Sequence, residues 1–165
     1  MAHPAPDTGL ATKDDIPGIL ELQDANQLGR GGMLSARLPR ERFEAALLDL
    51  PLIVARRQGR IVGYLMSFSI GTQASPIIQA MLKAYSGGPN AYIYGPICVA
   101  EDERGQGLAA ALFAALCAHV PGRECISFVR ADNAPSLRAH AKMGMRIVAE
   151  FTHDAVDYVV LAYRD

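Results

Sequence analysis

Arg104, Gly105, Gln106, Gly107, Leu108 and Ala109 stand between an apolar, β-branched run and a long stretch of helix formers. Strand, tight loop, helix is a common way to build an anion site. The first turn of a helix leaves backbone N–H groups without intrahelical partners, and the helix dipole adds partial positive charge there. Glycine at 105 and 107 lets the backbone approach an anion with no Cβ in the way. The stretch fits a pyrophosphate grip, with each charge-assisted hydrogen bond worth roughly 1.5–3 kcal/mol. Two glycines before a helix also serve as a plain turn. No Gly-Lys-Ser/Thr follows, so the loop is not a P-loop. A dinucleotide fingerprint stays open, because Ala110 fits its third small position and Asp132 is an available, though poorly placed, acid.

A second motif decides more than the loop does. Arg104, Gly107 and Ala109 fit the Arg/Gln-x-x-Gly-x-Gly/Ala pattern of the GNAT N-acetyltransferases. Downstream, Asn133, Ser136, His140, Gly144 and Met145 resemble that family's second signature, in which an Asn leads a short helix closed by Gly and a large apolar residue. The two patterns occur in the family's order and cover residues 91–150. The resemblance implies acetyl-CoA as cosubstrate, an amine acceptor, direct transfer in a ternary complex, and no metal.

Moving an acetyl group from a thioester to an amine needs an anchored carrier, a neutral amine, support for oxyanion charge, and a proton for the departing thiolate. Residues 104–109 are the expected anchor. Glu101, Asp102 and Glu103 directly precede it and would repel a pyrophosphate, so they are expected to point away, with Arg104 and Lys142 toward the anion. By the resemblance, main-chain groups of Ile97, Cys98 and Val99 bond the carrier's amides. Asn133 and Ser136 match positions near the same arm. Asn133 also reads as a helix cap.

His140 is the main departure, since the family most often has Tyr there. A free thiol titrates near about 8.5 and a free histidine near about 6.5, so imidazolium is acidic enough, and roughly a quarter would be protonated at pH 7. A packing histidine is the other reading. Glu101 is the candidate base or a solvated turn acid. Tyr94 is a candidate lining the acceptor pocket, or a packing ring. Cys98 reads as a core residue. Asn26, Gln27 and Arg30 are candidate acceptor contacts.

The elements that must position these groups follow from pattern. With 165 residues the chain has single-domain length. Residues 1–7 read as a flexible tail and 8–165 as one domain. A domain of this size buries about 70% of its unfolded surface and needs no staples. The net charge is −1 with half the residues hydrophobic, which gives no reason to expect nucleic-acid or membrane partners. Three cysteines without a Cys-x-x-Cys read as free thiols, and with no apolar leader core the expected location is cytoplasmic.

The patterning predicts a strand at 8–12 and a helix opened by Asp14 or Asp15, with Ile16, Ile19, Leu20 and Gln23 facing inward. A second helix follows at 39–50, a hairpin at 52–57 and 60–69, and a helix at 76–85. Then come a strand at 92–99 with a bulge at Gly95-Pro96, a helix at 107–120 and a strand at 125–130. A helix at 136–143 and strands at 145–152 and 156–163 complete the chain. This is an α/β fold, and a GNAT-like one has a mixed, largely antiparallel sheet of about seven strands, splayed at the central strand and flanked by about four helices. The acceptor, a small molecule or a protein amine, is not chosen by the sequence. A homodimer through the terminal hairpin is plausible. Two other readings compete with the enzyme: a CoA-binding sensor or interaction module, and a small nucleotide-binding protein.

Overall fold

The computed structural model describes residues 3–30, 34, 36–71 and 75–165. The described residues form seven strands and five α-helices. They are β1 (Asp7–Leu10), α1 (Ile16–Ala25), α2 (Arg40–Ala46), β2 (Ile53–Arg57), β3 (Arg60–Ser69), α3 (Pro76–Ala84) and β4 (Tyr92–Val99). Then follow α4 (Leu108–His119), β5 (Cys125–Arg130), α5 (Ala134–Lys142), β6 (Arg146–His153) and β7 (Val156–Tyr163). The hydrogen-bonded strand order is β1-β2-β3-β4-β5-β7-β6. The sheet is mixed and largely antiparallel. The helix expected at 76–85 is present as α3, one residue shorter.

The chain divides into two compact units, Met1–Ser67 with Gly95–His119, and Phe68–Tyr94 with Val120–Asp165. In the first, β2 and β3 form a hairpin around Gln58 (φ 50°) and Gly59 (φ 80°). This left-handed pair of residues is what a two-residue hairpin turn demands. β1 adds antiparallel to β2 from Asp7↔Arg56 to Leu10↔Ile53. Pro4 already lends its carbonyl to the Arg57 guanidinium.

α4 is apolar on every side by composition but one-faced by size. Leu108, Leu112, Phe113 and Leu116 are buried, while alanines 110, 111 and 114 face water. Leu112 and Leu116 are fully buried, and each stabilises by roughly 1.5–3 kcal/mol. Gly63 of β3 admits this helix. A Cβ there would lie 3.1 Å from the Leu112 side chain and 3.4 Å from that of Leu108.

α1 buries Ile16, Ile19, Leu22 and Gln23. Leu22, rather than Leu20, takes the inward place. A 3-10 turn, Lys13–Asp15, opens the helix, and its Asp15 carboxylate accepts from Thr12 N at 2.7 Å and from Arg56. Asp15 therefore serves the turn and an ion pair instead of capping α1. α2 ends at Ala46, short of residue 50, and Leu48 is 91% exposed. Pro51 closes this segment, and the residue before a proline is pushed out of helical geometry.

In the second unit, β4 pairs parallel with β5 at Tyr92↔Cys125 and Ile93↔Ile126. β5 then runs antiparallel to β7 along its whole length, and β7 to β6. The β6–β7 turn uses Asp154 (φ 47°) and Ala155 (φ 60°), one residue later than His153-Asp154. The core here includes Met81, Tyr92, Ile93, Ile126, Val160 and Leu161.

Candidate functional site

β4 ends where Ala100 N donates to Val62 O at 2.9 Å. A 3-10 turn, Glu101–Glu103, follows. Its acids are disposed of by neighbouring arginines. Glu103 is buried and takes both Nε and Nη2 of Arg57. Asp102 pairs with Arg60 at 2.7 Å. The Arg57 guanidinium holds the Glu103 carboxyl below its usual range, and Arg60 does the same for Asp102. Two of the three acids are thus paired with arginines before the loop begins. Glu101 is exposed, with no ion pair among the described residues.

The loop itself is made of backbone. Gly105 (φ 74°) and Gly107 (φ 80°) are both left-handed. A Cβ at either would meet nothing within 4 Å. Glycine is needed there for its φ, and the space beside it is open. Gly107 O accepts from Ala111 N at 3.1 Å, the first bond of α4. The N–H groups of the helix's first turn are then left over by geometry. Leu108, buried beside β3, pins that turn, and Ala109 is half-buried behind it. Gln106 bonds back to Asp102 O at 3.3 Å.

Arg104 departs from expectation. Its guanidinium donates to Asn26 Oδ1 and, at 3.3 Å, to Val99 O. Asn26 in turn donates to Leu22 O at 2.8 Å and is 4% exposed. The pair is a strut from the end of α1 to the loop. The Arg104 guanidinium is turned to Asn26, and Asn26 is buried at the end of α1. Gln27 also bonds locally, to Gln23 O and Ala36 O. Arg30 is exposed.

Ile97 and Val99 are half-buried on β4, and Cys98 is buried between them. Burial pushes the Cys98 thiol up to about 12, so it stays protonated and is no nucleophile. Tyr64 on β3, which the sequence did not single out, is fully buried and edge-on to Phe43, with no hydrogen bond to its hydroxyl among the described residues. Burial raises its phenol, which remains protonated.

The second unit carries the remaining candidates. Asn133 caps α5, its Oδ1 accepting from Ser136 N at 3.2 Å. With Pro135 in the first turn the helix starts at Ala134, two residues earlier than 136. An Asn followed by a proline two residues on is the signal that locates this start.

His140 is 5% exposed, edge-on to Tyr94 with centroids 5.5 Å apart. Its Nδ1 lies 2.7 Å from Ser136 O and 3.3 Å from Ser136 Oγ. A carbonyl can only accept, so Nδ1 carries the hydrogen and Nε2 the lone pair. Burial lowers the His140 pKa, partly offset by the Ser136 carbonyl. The protonated fraction at pH 7 is therefore smaller than the quarter expected of a free histidine. Tyr94, 2% exposed, packs on that ring. Lys142 is exposed in the last turn of α5.

The structure thus gathers Ile97, Cys98, Val99, Glu101 and 104–109 in the first unit. It gathers Tyr94, Asn133, Ser136 and His140 in the second. Among the described residues no cluster of His, Cys, Asp and Glu suits a metal ion, and no helix is long and apolar enough to cross a membrane.

The sequence profile of the acetyltransferase (GNAT) family matches residues 19–145. No curated protein matches the chain. Solved structures do. YncA of Salmonella typhimurium, solved with its cofactor acetyl-CoA, is 17% identical with a TM-score of 0.72, over 98% of this chain and 94% of that one. A ribosomal-protein-alanine N-acetyltransferase of Brucella melitensis is 20% identical with a TM-score of 0.67, over 96% and 99%. A GNAT acetyltransferase of Streptococcus agalactiae is 16% identical with a TM-score of 0.73, over 96% and 95%. At such identities the structures show the fold, and the profile shows the family: the chain belongs to the GNAT acetyltransferases.

Proposed function

We propose that this GNAT member is an N-acetyltransferase that passes an acetyl group from acetyl-CoA directly to a primary amine, carried by a small molecule or a protein. The observation that carries the reading is the loop 104–109. It offers left-handed glycines, open space and the start of a twelve-residue helix, while Asp102 and Glu103 are held by arginines. These groups fit a pyrophosphate. Bound acetyl-CoA supplies the acyl group as a thioester. Residues 104–109 anchor the carrier, and the main chain of Ile97, Cys98 and Val99 holds its arm. The protonated Cys98 thiol argues for direct transfer without an acyl-enzyme.

In this reading residues 8–165 work as one catalytic domain, and the second unit handles the proton. A neutral His140 with its lone pair on Nε2 takes up a proton before it gives one back. The amine's proton goes to Nε2 and leaves from it to the sulfur, so the imidazole ends each turnover neutral. Ser136 O, bonded to Nδ1, fixes the tautomer, and Tyr94 holds the ring. Glu101 is the other candidate base. The three free cysteines fit a reducing, cytoplasmic setting.

The burial of His140 favours one other reading, a CoA-binding module without turnover. A thermal-shift titration with acetyl-CoA, CoA, NAD and ATP tests the loop. A ligand at a hundred times its dissociation constant adds about 2.7 kcal/mol. A shift confined to NAD or ATP would overturn the assignment. A shift with acetyl-CoA is then followed by an amine panel read by thiol release. Binding without release for any amine supports the module.

A further inference from the structure

A cavity of about 440 Å³ lies at the opposite end of β5 from Asn133 and α5, walled by Tyr85, Gly87, Gly88, Glu124, Arg146 and Arg164. β5 is six residues long, so about 20 Å of strand separates it from Asn133. Nothing in the proposed acetyl transfer uses these residues. The volume falls in the range of small-molecule sites, about 300–1,000 Å³.

Its construction is specific. Glu124, 7% exposed, accepts from Tyr85 OH at 2.9 Å and from Gly88 N at 2.8 Å. Both carboxylate oxygens are occupied in holding residues 85–88 against the start of β5. The guanidinium of Arg164 lies over Gly88, where a Cβ would come within 2.7 Å of Nη2. Arg146 opens β6, and Arg164 follows β7. Among the described residues neither guanidinium makes a hydrogen bond or ion pair. Elsewhere arginines 37, 40, 56, 57, 60 and 130 all have carboxylate partners. Two guanidiniums against one carboxylate leave the wall with a surplus positive charge. The planar fork of each matches an oxyanion bidentately.

We propose that this cavity binds a small molecule through an oxyanion, a carboxylate or a phosphate, gripped by Arg146 and Arg164. Glu124 is a positioning residue that shapes the wall.

The test is an amide-resonance titration of the full chain with succinate, with inorganic phosphate, and with chloride at matched ionic strength. Saturable shifts at Gly87 and Gly88 with succinate or phosphate, and not with chloride, are expected, and the anion that saturates first identifies the source. These two amides report on the cavity whatever the loop at 104–109 binds. The R146A/R164A variant should weaken binding by about tenfold or more. R146K/R164K keeps the charge but not the fork, and should lie between the two. Equal shifts with chloride, no shift at either glycine, or undiminished binding in both variants would overturn the proposal.

Discussion

The loop after β4 and the helix after β5 are built on opposite principles. Around residues 104–109 the side chains are spent on one another. Arg57 holds Glu103, Arg60 holds Asp102, and Arg104 holds Asn26. What remains without a partner at the start of α4 is backbone. Around α5 the backbone is the support, and a side chain is the product: Asn133 caps the helix, and Ser136 O fixes the His140 tautomer. The first region is largely exposed, and its backbone path depends on the left-handed glycines. In the second, His140 is the buried residue of the helix, and desolvation lowers its pKa. A carrier common to many enzymes can be gripped by N–H groups, whereas proton handling needs a particular ring in a particular environment.

Breaking the first region at its backbone should have the largest effect. Gly107→Val forces a β-branched residue into φ 80°, a strain of roughly 1–2 kcal/mol, and moves the N–H groups of the turn. Losing two charge-assisted bonds of roughly 1.5–3 kcal/mol each weakens acetyl-CoA by about a hundredfold or more. Calorimetric titration checks this, and affinity within about threefold of the parent would remove the anion role from the loop.

In the second region His140→Gln should lower kcat by about a hundredfold, the lower end of general acid–base contributions, with acetyl-CoA affinity unchanged. It should also alter stability against pH. The His140 pKa is lowered on folding from its ordinary 6.5. Below pH 6.5 the unfolded chain binds the proton more readily, so stability falls as pH drops from 6.5 through the lowered folded value. Melting curves should show that slope in the parent and less of it in His140→Gln. An unchanged slope would mean another group titrates.

Asn133→Ala sharpens the comparison further. The Oδ1–Ser136 N bond is a helix cap, worth about 1 kcal/mol. Denaturation should report that loss, while the acetyl-CoA dissociation constant shifts by less than about threefold. A stronger drop in affinity with little loss of stability would give Asn133 a direct contact to the carrier.

Much of this was legible in the chain, and what was not has a common cause. β4, β5 and β7 have the expected bounds, because β-branched runs ended by turn residues are local signals. The glycines of the loop were legible for the same reason. The Arg104–Asn26 strut joins residues 78 apart, and no local pattern announces it. Gly63 reads as an ordinary strand residue until α4 is laid against it. Leu50 fits the apolar period of α2, yet the helix ends at Ala46 and Leu50 is only half-buried. Arg146 and Arg164 meet only because β6 and β7 pair in register, Arg146 opposite Ala162.

The smallest expected effect separates the two regions most cleanly. Among the described residues Glu101 is the one acid of its turn without an arginine partner, beside two that arginines hold. If proton handling belongs to the second unit, Glu101→Gln is a surface change, within about 0.5 kcal/mol in stability and about twofold in turnover. If the carboxylate instead takes the amine's proton, kcat falls by about a hundredfold or more while acetyl-CoA affinity holds. Steady-state turnover of Glu101→Gln beside His140→Gln, with one amine, decides between them. A large loss in Glu101→Gln and a small one in His140→Gln would move the chemistry onto the exposed turn and leave His140 as a buried support for α5.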